Sequence, residues 1–201
     1  MTGNEWDARY AGEAFAFGTE PNDFLVEVAP RLPAGGRVLS LAEGEGRNAV
    51  WLAAHGFEVH SVDGSEVGVA KTLRLAAERG VTVHAATGRL EDLDITPGAW
   101  DVIVSVFVHQ PPPLRAEVHR KVAAGLAPGG MYVMEAYSPD HWGRGTGGPP
   151  HPERLVPLQA AMAELAGLEF LHAAELERDV VEGHLHTGDA AVTQILARKA
   201  G

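Results

Sequence analysis

The stretch Arg37-Val38-Leu39-Ser40-Leu41-Ala42-Glu43-Gly44-Glu45-Gly46-Arg47-Asn48-Ala49, with Asp63 downstream, decides the fold. Val38, Leu39 and Leu41 supply the near-continuous apolar run of a parallel strand covered on both faces. Gly44 and Gly46 allow a sharp turn and a close backbone approach to a ligand, and the helix that follows offers free N–H groups. A second strand, Glu58–Val62, ends at Asp63-Gly64. A carboxylate about 20 residues beyond such a turn, at the tip of the next strand, suits the hydroxyls of a ribose. The unit is expected to hold a cofactor that contains adenosine.

Which cofactor is a separate question, because Gly44-Glu45-Gly46-Arg47-Asn48-Ala49 also fits the weak dinucleotide pattern G-x-G-x-x-G/A. Two features favour S-adenosylmethionine over a nicotinamide dinucleotide. Glu43 and Glu45 flank the first glycine, where they repel a pyrophosphate but tolerate an ammonium and a sulfonium. The chain is also expected to be a single domain, which leaves none to carry a dehydrogenase's substrate.

Length and composition narrow the function classes. A chain of 201 residues is expected to be one domain with a substantial core. A net charge of -11, with no run of Lys or Arg, argues against nucleic acid and anionic membranes as partners. The lack of cysteine removes disulfides, thiolate catalysis and cysteine-based zinc sites. No apolar stretch reaches membrane-spanning length and no leader is visible, so a cytoplasmic enzyme is expected.

Outward from the central stretch, residues 4–10 read as a short helix with Asn4 as N-cap. A second helix, capped by Asn22 or Asp23, runs through Val28 and stops at Pro30 and Pro33. Residues 1–36 thus read as an N-terminal helical segment ahead of a main domain at 37–201. Trp6, Tyr10 and Phe17 either pack this segment onto the sheet or form an aromatic lid over a sulfonium. The first core helix spans Arg47 to about His55 and stops at Gly56. Ser65 caps the next, with Val67, Ala70, Leu73 and Ala77 as its apolar stripe. Further strands are expected at Thr82–Ala86, at Asp101–Phe107 (read as apolar after its first residue, hence central) and at Met131–Ala136. Helices are expected at Leu114–Gly125, opened by Pro111-Pro112-Pro113, and at Leu158–Ala166. Ser138–Pro152 is a long Gly- and Pro-rich loop of the kind that is usually functional or disordered. Strands at Phe170–Val181 and Ala190–Lys199, with no room between them for a crossover helix, must be antiparallel. The result is an α/β chain: a single Rossmann-like domain with a mostly parallel seven-stranded sheet, helices on both faces and a closing antiparallel hairpin.

This order of elements resembles the class I S-adenosylmethionine-dependent methyltransferases. The resemblance is carried by Glu43-Gly44-Glu45-Gly46 with Asp63, by Asp101–Phe107, and by Leu126-Ala127-Pro128-Gly129-Gly130 before the fifth strand. A narrower resemblance, to small bacterial tellurite-resistance-like methyltransferase-domain proteins, is carried by residues 6–10, 18–22, 43–49, 135–137 and 145–149. It implies that the N-terminal segment folds over the cofactor through Tyr10, Phe17 and Asn22. It also implies cofactor contacts from Glu43, Gly44, Gly46, Asn48, Asp63, Gly64, Ser65, Arg89, Leu90 and Val106. The chain departs from the pattern at Arg89, where many members carry an acid near the adenine. Either Asp92 substitutes, or backbone and Leu90 hold the base.

Methyl transfer is an in-line displacement, so the protein's work is positioning, desolvation and, for some nucleophiles, proton removal. His109, just past the fourth strand, is a candidate general base or substrate contact, or simply a loop histidine bonded to backbone. Glu135 and Tyr137 flank the end of the fifth strand. Arg178 near Glu182 is placed to orient a substrate, with His186 closing over it. His184 and His186 lack a matching ligand cluster, so no metal is expected. Gln110-Pro111-Pro112-Pro113 lacks the leading Asn or Asp and the aromatic of the amino-methyltransferase turn, which disfavours nucleic acid and protein glutamine as acceptors. The expected activity is methyl transfer to a small molecule, with a soft nucleophile such as a thiol, selenide or tellurium species implied by resemblance alone. The chain is expected to act as a monomer or homodimer. An NAD(P)-dependent oxidoreductase and a non-catalytic S-adenosylmethionine-binding protein are the alternatives.

Overall fold

The computed structural model describes residues 3–201. Seven strands form one sheet: β1 (Arg37–Leu41), β2 (Glu58–Asp63), β3 (Val83–Thr87), β4 (Trp100–Val106), β5 (Leu126–Tyr137), β6 (Leu168–Glu182) and β7 (His186–Lys199). Their order is β3-β2-β1-β4-β5-β7-β6. The first five are parallel, and β7 pairs antiparallel with both β5 and β6. The helices are α1 (Gly3–Tyr10), α2 (Asp23–Val28), α3 (Arg47–Ala54), α4 (Glu66–Glu78), α5 (Pro112–Gly125) and α6 (Leu158–Glu164). The expected architecture is the observed one.

Successive strand residues point to opposite faces, which explains why the central strands read as unbroken apolar runs. Val38, Val102, Val104 and Val133 join one core cluster with Phe24, Leu52 and Leu75. Leu39, Ile103, Tyr132 and Met134 join the other with Val118, Val122 and Leu126. Val102, Ile103 and Val104 are wholly buried, each contributing about 1.5–3 kcal/mol. Central β4 is not apolar throughout: Ser105 lies buried within it.

Four local expectations change. Asn4 lies inside α1 rather than ahead of it, and its side chain lies outside the described residues. The buried face of α4 is Gly68, Lys71, Thr72, Leu75 and Ala76, whereas Leu73 is exposed. Size overrides hydrophobicity here, because a Cβ on Gly68 would lie 2.8 Å from the Gly44 carbonyl oxygen. α4 must present its smallest residues to the glycine turn. β5 starts at Leu126, pairing with Trp100 across an irregularity before Met131 joins Val102. The hairpin is longer than its charge pattern suggested. Pairing continues through Asp179–Asp189 and Val181–Thr187 to Glu182–His186, leaving only Gly183 to Leu185 as the turn. That added length carries His186 and Glu182 back over the carboxyl ends of the parallel strands.

Candidate active site

After β1 the chain bends through Ala42, at φ +47°, and Gly44, at φ +69°, to Gly46, at φ +97°, which precedes α3. Glycine is required here for space as well as for conformation. A Cβ on Gly44 would sit 2.8 Å from the Tyr10 hydroxyl oxygen, and one on Gly46 2.8 Å from Cα of Thr72. Asp63 fixes the turn: Oδ2 accepts the Gly44 N–H at 2.7 Å and Oδ1 the Ser65 N–H at 2.8 Å. Burial raises the Asp63 pKa, and these two amide bonds oppose the rise. Gly46 has no side chain with which to cap α3, so Glu43 Oε1 does so, accepting from Asn48 and Ala49 N–H at 3.0 and 2.9 Å. Ser40 Oγ donates to the other Glu43 oxygen, and burial again raises the pKa. Glu45 does not carry the repulsive role expected of it. Its carboxylate accepts from Lys71 Nζ and from the Ala16 N–H, both at 2.7 Å, so it is charge-balanced and ties down the N-terminal segment.

Opposite the turn, Phe107 leaves β4 at φ +54°, a left-handed conformation that costs a non-glycine residue of order 1–3 kcal/mol. Its N–H donates to the Glu135 carbonyl at 2.7 Å. His109 Nε2 accepts the Tyr137 N–H at 3.0 Å, and the ring also bonds the Phe107 carbonyl. Burial, aided by His186, drives its pKa down to about 3. His109 faces the cleft as a neutral ring whose accepting nitrogen is taken, so the general-base assignment gives way to the loop histidine bonded to backbone. Tyr137 is fully buried and stacks on His141 at 3.7 Å, behind the cleft wall and not in it, with its phenol pKa raised by desolvation. The structure places it among packing side chains outside the wall.

Arg178 and Asn22 also leave the expected site. Arg178 Nη2 binds Glu135 at 2.5 Å and Glu182 at 3.0 Å, and Nη1 binds Asp23 at 3.0 Å. Asn22 Nδ2 donates to the same two glutamates at 2.7 and 2.8 Å, while its Oδ1 caps α2 through the Leu25 N–H. Gln194 Nε2 donates to Glu135 Oε2 at 2.5 Å, and Arg47 Nη2 pairs with Glu182. Buried charges persist only when paired in this way, and the pairing consumes Arg178 and Asn22 beneath the cleft.

The cleft itself measures about 830 Å3, within the range of small-molecule sites, and opens at the carboxyl ends of β1, β2 and β4. Of the residues read from sequence, Tyr10, Phe17, Glu43, Asn48, Asp63, Gly64, Arg89, Leu90, Val106 and His109 line it. Gly44, Gly46 and Ser65 shape it from behind; Ser65 caps α4 by accepting the Gly68 N–H at 3.0 Å and donates to Asp7 at 2.5 Å. Asp92 is exposed and not in the wall; the acid beside Arg89 is Glu91, with which it pairs. Sequence reasoning missed Arg47 and Phe107 as wall residues. Arg47 lies inside the motif and was readable as a helix-start cation, whereas Phe107 announces itself only through its backbone angle. His186, placed over the site on sequence, is in the wall against Phe17 and Phe107, at ring distances of 4.5 and 4.8 Å.

The cleft fits an adenosine-type cofactor: an acid at Asp63, apolar flanks at Leu90 and Val106, and an aromatic cover of Trp6, Tyr10 and Phe17. Among the described residues no cluster of three or more His, Asp or Glu is arranged to hold a metal. Among them, too, no helix is long and apolar enough to cross a membrane.

Residues 38–130 match the family model of the methyltransferase domain. The chain is 31% identical over 132 residues to the uncharacterized methyltransferase YbaJ of Bacillus subtilis (strain 168), an alignment covering 59% of this chain. The chain spans about half, 52%, of the length of that relative. Among solved structures, TehB from Haemophilus influenzae superposes with TM-score 0.72 at 19% identity, covering 98% of this chain and 66% of TehB. A protein studied for the conversion of a disulfide bond into a thioacetal group in echinomycin biosynthesis superposes with TM-score 0.77 at 18% identity, covering 98% of this chain and 91% of the other. Residues 38–130 thus match a methyltransferase domain, and the whole chain shares the fold of these solved structures.

Proposed function

We propose that the protein transfers a methyl group from S-adenosylmethionine to a small, soft nucleophile such as a thiol. The observation that carries this reading is the glycine turn locked by Asp63 at the floor of a cleft roofed by the aromatic N-terminal segment. The cofactor supplies an electrophilic methyl group. Asp63 is placed to accept ribose hydroxyls, since each of its oxygens keeps a lone pair beyond its amide bond. Leu90 and Val106 flank the base, and Arg89 and the backbone near Gly88 border it in place of the usual acid. Trp6, Tyr10 and Phe17 act as a lid that keeps water from the reacting centre. The segment is held by Glu45 at Ala16 and by Asp7 at Ser65, and it must loosen for ligand to enter.

The state of the histidines supports a soft acceptor. His109 and His186 both have pKa values lowered to about 3, which makes them poor proton acceptors. A thiol, ionising near pH 8.5 in water, can reach the cleft as its own nucleophile and needs no base from the protein. The sulfur chemistry named for the echinomycin-pathway neighbour is consistent with this choice. The net charge of -11 and the lack of any run of Lys or Arg favour a small molecule over nucleic acid as acceptor, and the reading takes the protein as a cytoplasmic monomer or homodimer. Incubation with labelled S-adenosylmethionine and a panel of thiols, amines, phenols and carboxylic acids tests the reading. Labelled thioether is the expected product; transfer only to oxygen or nitrogen acceptors would refute the soft-nucleophile assignment.

A further inference from the structure

The two sides of the cleft differ in charge. Every acid in its wall, Glu5, Glu43, Glu45, Asp63 and Glu91, stands with the N-terminal segment, the glycine turn or the adenine flank. The opposite side is built from residues 107–110 after β4, residues 147–150 of the Gly- and Pro-rich loop, Arg154 and the hairpin turn at 184–186, and it holds no acid. The loop is seated firmly on the hairpin. A Cβ on Gly147 would lie 2.8 Å from the Leu185 carbonyl oxygen and from Cδ2 of His186, and Thr146 Oγ1 donates to the Asp189 carbonyl at 2.8 Å. Arg154 ends the single turn Pro152–Arg154, and the buried Leu155 and Val156 follow it. The Val156 N–H donates to the Tyr137 carbonyl at 2.9 Å, which ties this segment to the end of β5. The backbone of Arg154 is thereby fixed, yet its half-buried side chain makes no hydrogen bond or ion pair among the described residues. Its guanidinium nitrogens are not buried, so they open to the water that fills the cleft. The other cations of the wall are committed: Arg47 pairs with Glu182, Arg89 with Glu91, and Arg9 lies over the Trp6 ring at 4.9 Å. In a chain with 27 acids against 16 Lys and Arg, a cleft cation that meets no carboxylate is a charge left for a ligand.

We propose that the acid-free side is the acceptor pocket, and that Arg154 sets its specificity by binding a carboxylate on the methyl acceptor. The substrate class is then a thiol acid and not a neutral thiol. This inference rests on the proposed methyl transfer for which ligand fills each side of the cleft, but not for Arg154 as an anion site. A guanidinium presents its donors in a planar fork that matches the two oxygens of a carboxylate, and it stays charged at every working pH. Beside it, Val108, Pro149, Pro150 and Leu185 offer apolar surface to the body of such an acid. The fixed backbone on both sides of Arg154 lets the carboxylate act as an anchor that sets where the other end of the acceptor lies. In the transfer, the acceptor's sulfur forms the new C–S bond as the sulfonium's C–S bond breaks. S-adenosylhomocysteine is left, and the thiol proton passes to solvent. Arg154 holds the far end of the acceptor throughout and exchanges no proton.

The test measures binding, by ligand-observed NMR titration, in wild-type protein and in Arg154→Gln and Arg154→Lys. The probes are 6-mercaptohexanoate, its neutral analogue 6-mercaptohexanol, and the sulfur-free pair hexanoate and hexanamide, each with and without saturating S-adenosylhomocysteine. Wild-type protein is expected to bind each acid about tenfold or more tightly than its neutral partner, the worth of one charge-assisted bond. Arg154→Gln should reduce that preference to within about twofold, Arg154→Lys should retain part of it, and both should bind S-adenosylhomocysteine as wild type does. The proposal is overturned if wild-type protein binds acids and neutral analogues alike, or if Arg154→Gln keeps the full preference. It is equally overturned if Arg154→Gln weakens S-adenosylhomocysteine as much as it weakens the acids, since Arg154 would then serve the cofactor. Failure of the proposed function reads differently. Hexanoate binding that depends on Arg154 would uphold the anion site even if S-adenosylhomocysteine did not bind or no thiol were methylated.

Discussion

The two walls of the cleft are built in opposite ways. The glycine-turn wall is local: Glu43, Gly44, Gly46, Asn48 and Asp63 lie within 21 consecutive residues and are fixed mainly by bonds to one another's backbone. The hairpin wall is assembled from afar. Glu135 on β5 gathers Asn22, Arg178 and Gln194, and Glu182 joins Arg47 to the same cluster. A wall made of backbone amides and one short turn tolerates change at the surface. A wall made of interlocked buried charges does not, because removing one member strands the others.

Breaking the distant wall gives the largest effect. Glu135→Ala leaves Arg178, Asn22 and Gln194 without their common acceptor, and is expected to cost about 3–5 kcal/mol of stability in urea unfolding. Breaking the local wall costs less. Gly46→Ala forces a Cβ against Thr72 at φ +97°, with an expected loss of about 1–3 kcal/mol and a matching fall in S-adenosylhomocysteine affinity. A stability cost near zero for Glu135→Ala would show that the cluster is not what holds the hairpin.

A third prediction uses pH to separate the walls. His109 and His186 on the hairpin side have folded pKa values near 3, below the unfolded value near 6.5. The unfolded chain therefore binds more protons between these values, and stability falls as pH drops from about 6.5 towards 3. Glu43 and Asp63 on the glycine-turn side have raised pKa values, so their contribution is present below the unfolded carboxylate pKa and is lost as pH rises through the folded one. The two walls therefore act on the pH dependence with opposite signs. His109→Gln, which retains a donor and an acceptor, should flatten that slope when urea midpoints are compared across pH. An unchanged slope would mean that His109 is not buried in its neutral form.

The same contrast explains what the sequence discloses. Local patterning places β1 to β5, the turn and Asp63, because strand period, glycine spacing and the following acid are all written within a few dozen residues. Asp63, Leu90 and Val106 stand in the wall where they were expected. The hairpin side is hard to read because Arg178, Glu182 and Glu177 alternate as charges on a solvated strand would, and nothing adjacent in sequence reveals Glu135 as the partner. His109 shows the limit within a single residue. Its position beside the cleft follows from the end of β4, but the bond that occupies its nitrogen comes from Tyr137, 28 residues later. Likewise the apolar stripe expected on α4 loses to Gly68 and Thr72, because no hydrophobicity pattern encodes how close the glycine turn must come.

The most direct test of the account is calorimetric titration of wild-type and Asp63→Ala protein with S-adenosylhomocysteine, with NADH as control. The account predicts binding to the wild type and none of NADH. It also predicts an affinity reduced roughly tenfold or more by Asp63→Ala, the loss of a charge-assisted bond worth about 1.5–3 kcal/mol. Equal affinity in a folded Asp63→Ala variant, or binding of NADH in place of S-adenosylhomocysteine, would contradict it.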